Sequence, residues 1–349
     1  VRGASVDPVR LVAAPPTLEE VAARAGVSRS TASRAINGGA RVSPSALAAV
    51  RAAVGALGYS PNRAARSLVT RRTDSIALVV PEPDELALSD PFVLAILQGL
   101  SSSLADSDVQ VVLVIARPGQ SERTVRFLAG GHVDGAVVVS HHRGGDLDPA
   151  LADLPVPLVF VGRPYAAVGE ARASGAHYVD TDNVAGALLA TRHLLERGRR
   201  RLGSIAGPAD MSAGIDRLEG FRRALAEAGL PADAVVHSDY TLAGGRAAAH
   251  RLLDEYPDLD GIVAASDLVA VGAMGALSAR GKQVPGDVAV VGYDDLGVAE
   301  SANPALTTVV QPAVSMAAAA GQRLLELLAG GGTSEPEIFE ARLVVRAST

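Results

Sequence analysis

Two patterns of apolar residues divide the chain near residue 75. Before that point, apolar positions recur at the spacing of short helices. Leu18, Val21 and Ala22 repeat in this way up to Ala25, behind Thr17 and Glu20, whose spacing is that of a capping box. Gly26 supplies a turn position open to positive φ, and Ser28 caps a second helix expected over 29–36. Asn37-Gly38-Gly39 ends it. Ser43-Pro44 opens a third helix, with proline at its first position, running to about Leu57 and stopping at Gly58.

Beyond residue 75, short β-branched runs alternate with helical segments. The runs lie at 76–80, 109–115, 136–139, 157–161, 202–206, 261–264 and 288–291, with helical patterns such as 92–105, 183–197, 214–229, 242–255 and 267–280 between them. Runs without polar alternation predict a parallel sheet covered on both faces. Their number exceeds one simple doubly wound sheet, so two similar α/β subdomains are expected. The predicted fold class is an all-α helix-turn-helix headpiece plus an α/β sensor of two doubly wound parallel-sheet subdomains.

Composition narrows the functions open to this fold. The 349 residues exceed one ordinary domain, and 48% are hydrophobic, enough for a sizeable core. There is no cysteine, which excludes disulfides and thiolate metal sites and fits a reducing cytoplasm. No run of ~18 apolar residues suggests a membrane span. Residues Val1 to Pro16 lack a secretory pattern and read as a disordered tail. Net charge is −6, but residues 1–72 carry eleven arginines against three acidic residues, a local +8 that leaves −14 for the remainder. A basic head on an acidic body suits phosphate contact by the head alone.

Gly26-Val27-Ser28 separates two short helices at helix-turn-helix spacing, an arrangement that lays the second helix in the major groove. On a helix starting at Arg29, positions 29, 30, 33, 34 and 37 share the outer face, while Ala32, Ala35 and Ile36 turn inward. Arg29 and Arg34 suit guanine, whose O6 and N7 match a guanidinium fork. Ser28, Thr31 and Ser33 suit phosphate oxygens. The stretch TLEEVAARAGVSRSTASRAINGGARVSPSALAAVRAAVGALGYSPNRAARSL resembles the headpiece of the lactose/galactose/purine repressor family. The resemblance implies that Arg29 and Ser30 choose bases and that Arg34 makes a near-constant base contact. Thr17, Asn37, Arg41, Asn62 and Arg63 complete the expected DNA-contacting set. Ala32 replaces the valine usual at its position. Pro61 to Leu68 matches the family's hinge helix, which is too short to be stable in water alone and folds when two copies meet on the operator. Leu68 then stands where a leucine wedges between base pairs.

In open parallel sheets, ligands gather beyond the carboxyl ends of strands. After the successive strands come Asp84, Glu85, Asp90 and Phe92, then Ser140-His141-His142, Gly162-Arg163, a loop reaching Arg217, Asp239-Tyr240, Ser266-Asp267 and Tyr293-Asp294-Asp295. Charged groups with a few rings are what a polyol needs, and the chain has only five Phe and six Tyr, so aromatics at strand ends carry weight. The resemblance extends over nearly all of 17–346, through stretches such as VDTDNVAGALLATRHLLERGRRRLGSIAGP, RLEGFRRALAEAGL, SDLVAVGAMGALSARGKQVPGDVAVVGYDD and NPALTTVVQP, and also takes in periplasmic sugar-binding proteins. It implies that Arg217 and Asp294 bind ligand hydroxyls, that Tyr240 flanks the ring, and that Phe92 and Arg163 line the pocket. Ser266 stands where the family usually has asparagine, which removes an amide able to donate and accept. Structural roles stay open beside these. Asp267 and Asp295 suit helix caps, Arg163 suits an ion pair at a crossover, and His141-His142 suits a solvated loop better than a metal site.

The family fold implies three crossovers between subdomains, near 163–176, 309–313 and 330–336. The expected organisation is a tail over 1–16, a headpiece over 17–60, a hinge and linker over 61–74 and a sensor over 75–349. Its N-subdomain would take about 75–165 and 313–330, and its C-subdomain about 175–309 and 336–346. No leucine heptad precedes Thr349, so a homodimer on a pseudo-palindromic operator is expected. Catalytic motifs are missing. No G-x-G-x-x-G follows a strand, and Gly281-Lys282 lacks both the earlier glycine, being Ala276 there, and a following Ser or Thr, being Gln283. No G-x-S-x-G or H-E-x-x-H occurs. The expectation is therefore a cytoplasmic DNA-binding regulator, a repressor, with no catalytic residue, cofactor, metal or membrane partner. A small polar effector, a sugar by preference, would control it. A purine, nucleoside or other non-sugar effector is the alternative, and a stand-alone sugar-binding protein the more remote one.

Overall fold

The structure is a computed structural model that describes residues 16–36, 42–60, 72–140, 142–143, 147, 151, 154–164, 176–332 and 335–349. The expectations for the tail, for Asn37, Arg41 and His141, and for the hinge with Asn62, Arg63 and Leu68 lie outside these residues. Packing divides the chain into one unit up to Thr73 and a second from Asp74 onward.

The first unit is a three-helix cluster. Helix α1 (Leu18–Ala25) is closed by the capping box: Thr17 Oγ1 accepts from the Glu20 amide at 3.3 Å, and Glu20 Oε2 accepts from the Thr17 amide at 2.7 Å. Gly26 ends it in the left-handed region at φ 65°. Helices α2 (Arg29–Ile36) and α3 (Pro44–Leu57) follow. Val21, Ala22, Ala32, Val50 and Ala53 form the buried centre, with Ala35 and Ile36 packed against it. The small Ala32 is fully buried in the place where the valine is usual.

The second unit holds two six-stranded sheets. The first contains β1 (Ser75–Val80), β2 (Gln110–Ile115), β3 (Gly135–Val139), β4 (Leu158–Val161), β5 (His177–Thr181) and β11 (Glu337–Phe339), in the order β11-β5-β4-β3-β1-β2, all parallel. The second contains β6 (Leu202–Ala206), β7 (Val235–His237), β8 (Gly261–Ala264), β9 (Ala289–Asp294), β10 (Thr307–Val310) and β12 (Arg342–Val344), in the order β12-β10-β9-β8-β6-β7, with only β12 antiparallel. Both faces of each sheet are covered, as the continuous apolar runs require. From β1, Ile76, Leu78 and Val80 pack to one side with Leu100 and Met316, while Ala77 and Val79 pack to the other with Leu128 and Phe160. The second sheet divides likewise, Ile205 and Ile262 facing Leu252 and Leu277, and Val291 and Val309 facing Leu194 and Phe221.

The remaining helices are α4 (Asp84–Ser89), α5 (Pro91–Ser103), α6 (Ser121–Ala129), α7 (Asn183–Glu196), α8 (Ser212–Glu227), α9 (Leu242–Glu255), α10 (Asp267–Ala279), α11 (Val298–Ser301) and α12 (Ala313–Leu328). Two crossovers differ from the expectation. The first lies between β5 and α7, not at 163–176, because β5 belongs to the first sheet and not to the C-subdomain. The third lies between β11 and β12, not at 330–336. Both displaced strands are short (HYVDT, EIF), and neither carries an apolar run long enough to announce it. The second runs from β10 into α12, which packs on α5 of the first subdomain.

Candidate functional site

In the head, the side chains of Ser28, Arg29, Ser30, Thr31 and Arg34 are set by local chemistry. Ser28 Oγ accepts from the Thr31 amide at 3.1 Å, which caps α2, and lies 2.9 and 2.8 Å from the hydroxyls of Ser30 and Thr31. Arg34 is exposed and donates from Nε to the Ser30 carbonyl at 3.2 Å. Arg29 is exposed at the first position of α2, and its Nε donates to Glu19 Oε1 at 2.8 Å. That bond occupies the Nε side of the guanidinium and leaves the two terminal nitrogens as the free fork. Glu20 is committed to the capping box, so Glu19 is the acidic residue of the first turn that reaches α2.

In the second unit, strand order places the site. The order reverses between β1 and β3 in the first sheet and between β6 and β8 in the second, and the loops after these strands face a common cleft. A cleft open to solvent lies there, enclosing about 780 Å³ when the open solvent at its mouth is counted. Phe92, Arg217, Tyr240, Ser266 and Asp294 all line it, together with Asp90, Asp180, Ser212 and Gln311. Arg163 does not. Its guanidinium turns to Asp216 instead, with Nη2 at 2.7 and 2.9 Å from the two carboxylate oxygens, while Ser212 Oγ donates to its carbonyl at 2.6 Å. A carboxylate one helical turn into α8 is a better partner for this cation than an open cleft.

Arg217 is the organising residue. It lies on α8 rather than in a loop, and only 7% of its surface is exposed. Nε donates to Asn183 Oδ1 at 2.9 Å, Nη2 to Gln311 Oε1 at 2.6 Å, and Nη1 to the Ala265 carbonyl and, at 3.5 Å, to Asp294 Oδ1. Asp294 ends β9 with φ 117°, and Asp295 follows at φ 58°, both sparsely populated for non-glycine residues. Asp267 holds this turn: its carboxylate accepts from Thr308 Oγ1 at 2.6 Å and from the Asp295 amide at 2.8 Å. Asp295 in turn accepts from Arg346 at 2.7 Å. Neither aspartate caps a helix through its side chain. The cap of α10 is Ser266, whose Oγ accepts from the Val269 amide at 3.2 Å. A serine here therefore has a local reason, and the residue also lines the cavity.

The cleft is acidic, and burial shapes its charge. Burial pushes Asp90 up to about 6, against the Phe92 amide bond that lowers it, and Glu82 adds to the rise. Burial likewise pushes Asp267 up to about 6. Asp294 is held well above the carboxylate range by burial, with Arg217 opposing and Asp267 and Asp90 adding. Among the described residues no cluster of three or more His, Asp or Glu is placed to hold a metal ion, and no helix is long and apolar enough to cross a membrane. The cleft-lining polar residues that sequence reasoning missed are Asp180, Ser212 and Gln311, and Asn183 stands behind the wall as a partner of Arg217. Asp180 accepts from the Arg163 and Thr181 amides and from Asn183 Nδ2, so it fixes the ends of β4 and β5. The signal of Asp180, Asn183 and Gln311 was position alone, just before or after two crossovers.

Known proteins resemble both units. The family described as "Bacterial regulatory proteins, lacI family" matches residues 17–62, and "Periplasmic binding protein-like domain" matches 191–349. The HTH-type transcriptional regulator CelR of Thermobifida fusca is 47% identical over 338 residues, covering 95% of this chain and 98% of its own. The HTH-type transcriptional regulator GalR of Salmonella typhimurium is 33% identical over 337 residues, covering 95% of each. Among solved structures, a CelR–cellobiose complex aligns with a TM-score of 0.76 at 43% identity, over 96% of this chain and all of the other. The lac repressor dimer bound to operator and the anti-inducer ONPF aligns with a TM-score of 0.83 at 26% identity, over 96% and 99%. With a capped helix-turn-helix in one unit and a two-sheet cleft in the other, this chain belongs to the lacI family of bacterial transcriptional regulators.

Proposed function

We propose that this regulator represses transcription as a cytoplasmic homodimer on a pseudo-palindromic operator and that a sugar bound in the cleft controls it. The observation that carries the effector reading is Arg217, buried at the cleft wall, with Asp294 beside it and Tyr240 and Phe92 on the same lining. A buried donor–acceptor pair flanked by rings is the chemistry of hydroxyl recognition. The bound cellobiose of the CelR complex supports a glucose-containing disaccharide as the first ligand to try. A purine or nucleoside is the second reading. The acidic cleft disfavours phosphorylated forms of either.

On the DNA side, Arg29, Ser30 and Arg34 are assigned to bases. Ser28, Thr31 and Ser33 are assigned to phosphate oxygens, Thr17, Asn37, Arg41, Asn62 and Arg63 to further DNA contacts, and Leu68 to the minor-groove wedge. The headpiece over 17–60, hinge over 61–74 and sensor from 75 onward form the working division. The protein acts by binding, without turnover of its ligand. Calorimetric titration of the full chain with cellobiose, glucose and adenine tests the effector reading. Saturable binding of a sugar and none of adenine is expected, whereas adenine alone binding would replace it.

A further inference from the structure

The start of α8 is pinned to the opposite subdomain on the rim of the cleft. Asp210, which follows β6, accepts at Oδ2 from His142 Nδ1 at 2.9 Å, and its carbonyl accepts from the Arg143 amide at 2.7 Å. His142 and Arg143 follow β3 of the first sheet. A second tie runs from Arg163, after β4, to Asp216 and Ser212 on α8. Met211, Ser212 and Ala213, between Asp210 and Asp216, and Arg217 just after them form part of the cavity wall. His142 does not reach the cavity lining.

The chemistry of the first tie is specific. His142 Nε2 faces Glu82 Oε1 at 3.0 Å, so each ring nitrogen meets a carboxylate. A neutral imidazole has one donor and one acceptor and would oppose a lone pair to one of these carboxylates. Only the imidazolium donates to both. Glu82 is buried and belongs to the same subdomain as His142, whereas Asp210 is half exposed and crosses the cleft. Among the described residues, Glu82 and Asp210 are the charged groups facing the ring. Arg143 is its chain neighbour, and Asp90 lies near enough to Glu82 to sense its charge.

We propose that His142 is a positioning residue for effector binding: held on Glu82 as an imidazolium, it clasps Asp210 and seats the start of α8, with Ser212 and, a turn further on, Arg217, against the ligand. This rests on the effector reading above only for the identity of the probe. The two carboxylates raise the His142 pKa to about 9, Glu82 first and Asp210 after it, against burial. Opening the cleft removes Asp210 and returns part of that rise. The clasp is therefore complete at neutral pH and is lost as pH climbs through about 9. The Arg163 guanidinium of the second tie stays charged across this range, its pKa raised further by the Asp216 carboxylate beside it against burial.

The full chain has no cysteine, so a pair of labels on Asp106→Cys and Asp258→Cys, one in each subdomain and both exposed, reports cleft width without any ligand. Label separation in the otherwise wild-type chain should widen as pH rises from 7 to 10. His142→Gln should be wide already at pH 7, and His142→Arg should stay narrow across the range. Cellobiose affinity should fall about tenfold in His142→Gln and Asp210→Asn, with the double variant no worse than either. Failure of any sugar to bind would overturn the effector reading, while the label distances would still decide the clasp. A pH-independent separation shared by wild type and His142→Gln would overturn the clasp.

Discussion

The guanidinium of Arg217 lies over the ring of Tyr293, its carbon 3.6 Å from the ring centroid. A buried cation is costly unless fully partnered, and here a ring face completes a shell of Asn183, Gln311, Ala265 and Asp294. The Tyr293 hydroxyl is buried with no hydrogen-bond partner among the described residues. Tyr293→Phe should therefore retain stability to within about 1 kcal/mol and keep ligand affinity. Arg217→Met leaves Asp294 without its cation and should abolish binding. Thermal melts and titrations of both variants separate the ring from the charge.

Asp90 caps α5 by accepting from the Phe92 amide at 2.9 Å, yet its carboxyl is held up at about 6 by burial. In the folded state it keeps a proton that the unfolded chain releases near 3.8, so its contribution to stability falls as pH rises through 4 to 6. Asp90→Asn keeps the cap oxygen and removes the titration. Its melting temperature at pH 7 should exceed that of wild type, and the decline between pH 4 and 6 should shrink without vanishing, because Asp267 titrates in the same window. A melting profile identical to wild type would contradict the assignment.

Arg34→Ala should cost ~1–3 kcal/mol at the operator and relax one base position. Equal loss on random DNA at fixed salt would contradict base reading. Glu19→Gln should broaden base preference at the position read by Arg29 and raise affinity for random DNA, since it frees the Nε side of that guanidinium and removes a negative charge beside the groove. Measured binding to a panel of single-base operator variants checks both.

Gly99 lets α5 approach α12 closely. A Cβ there would stand 2.2 Å from the Val314 carbonyl oxygen and 2.7 Å from the Ala317 Cβ. Backbone cannot yield as a flexible side chain can, so Gly99→Ala should destabilise the sensor by about 2–3 kcal/mol, seen as a lowered denaturant midpoint.

How much of this was legible follows from the kind of signal each residue leaves. The run IALVV announces β1 because both faces are buried, and the S/T-x-x-E spacing announces α1 because its bonds are local. HYVDT leaves no such mark: β5 is a strand because β4 and β11 flank it, a fact of tertiary pairing. The same holds in the cleft. Asp294 and Ser266 are visible as polar residues after apolar strands, whereas Gln311 in the lining and Asn183 behind it are tied to the site only through Arg217, which gathers groups far apart in sequence. Arg163 stood at the correct strand end but turned to Asp216, a choice set by how α8 lies against the first sheet.

The central claim is that one ligand in the cleft, held through Asp294 and Arg217, governs operator binding. The most direct measurement is operator affinity of wild type and Asp294→Ala with and without saturating cellobiose, at fixed salt. The account predicts that cellobiose shifts wild-type affinity at least tenfold, that Asp294→Ala matches ligand-free wild type on the operator, and that the ligand does nothing to it. A normal cellobiose response in Asp294→Ala would contradict it.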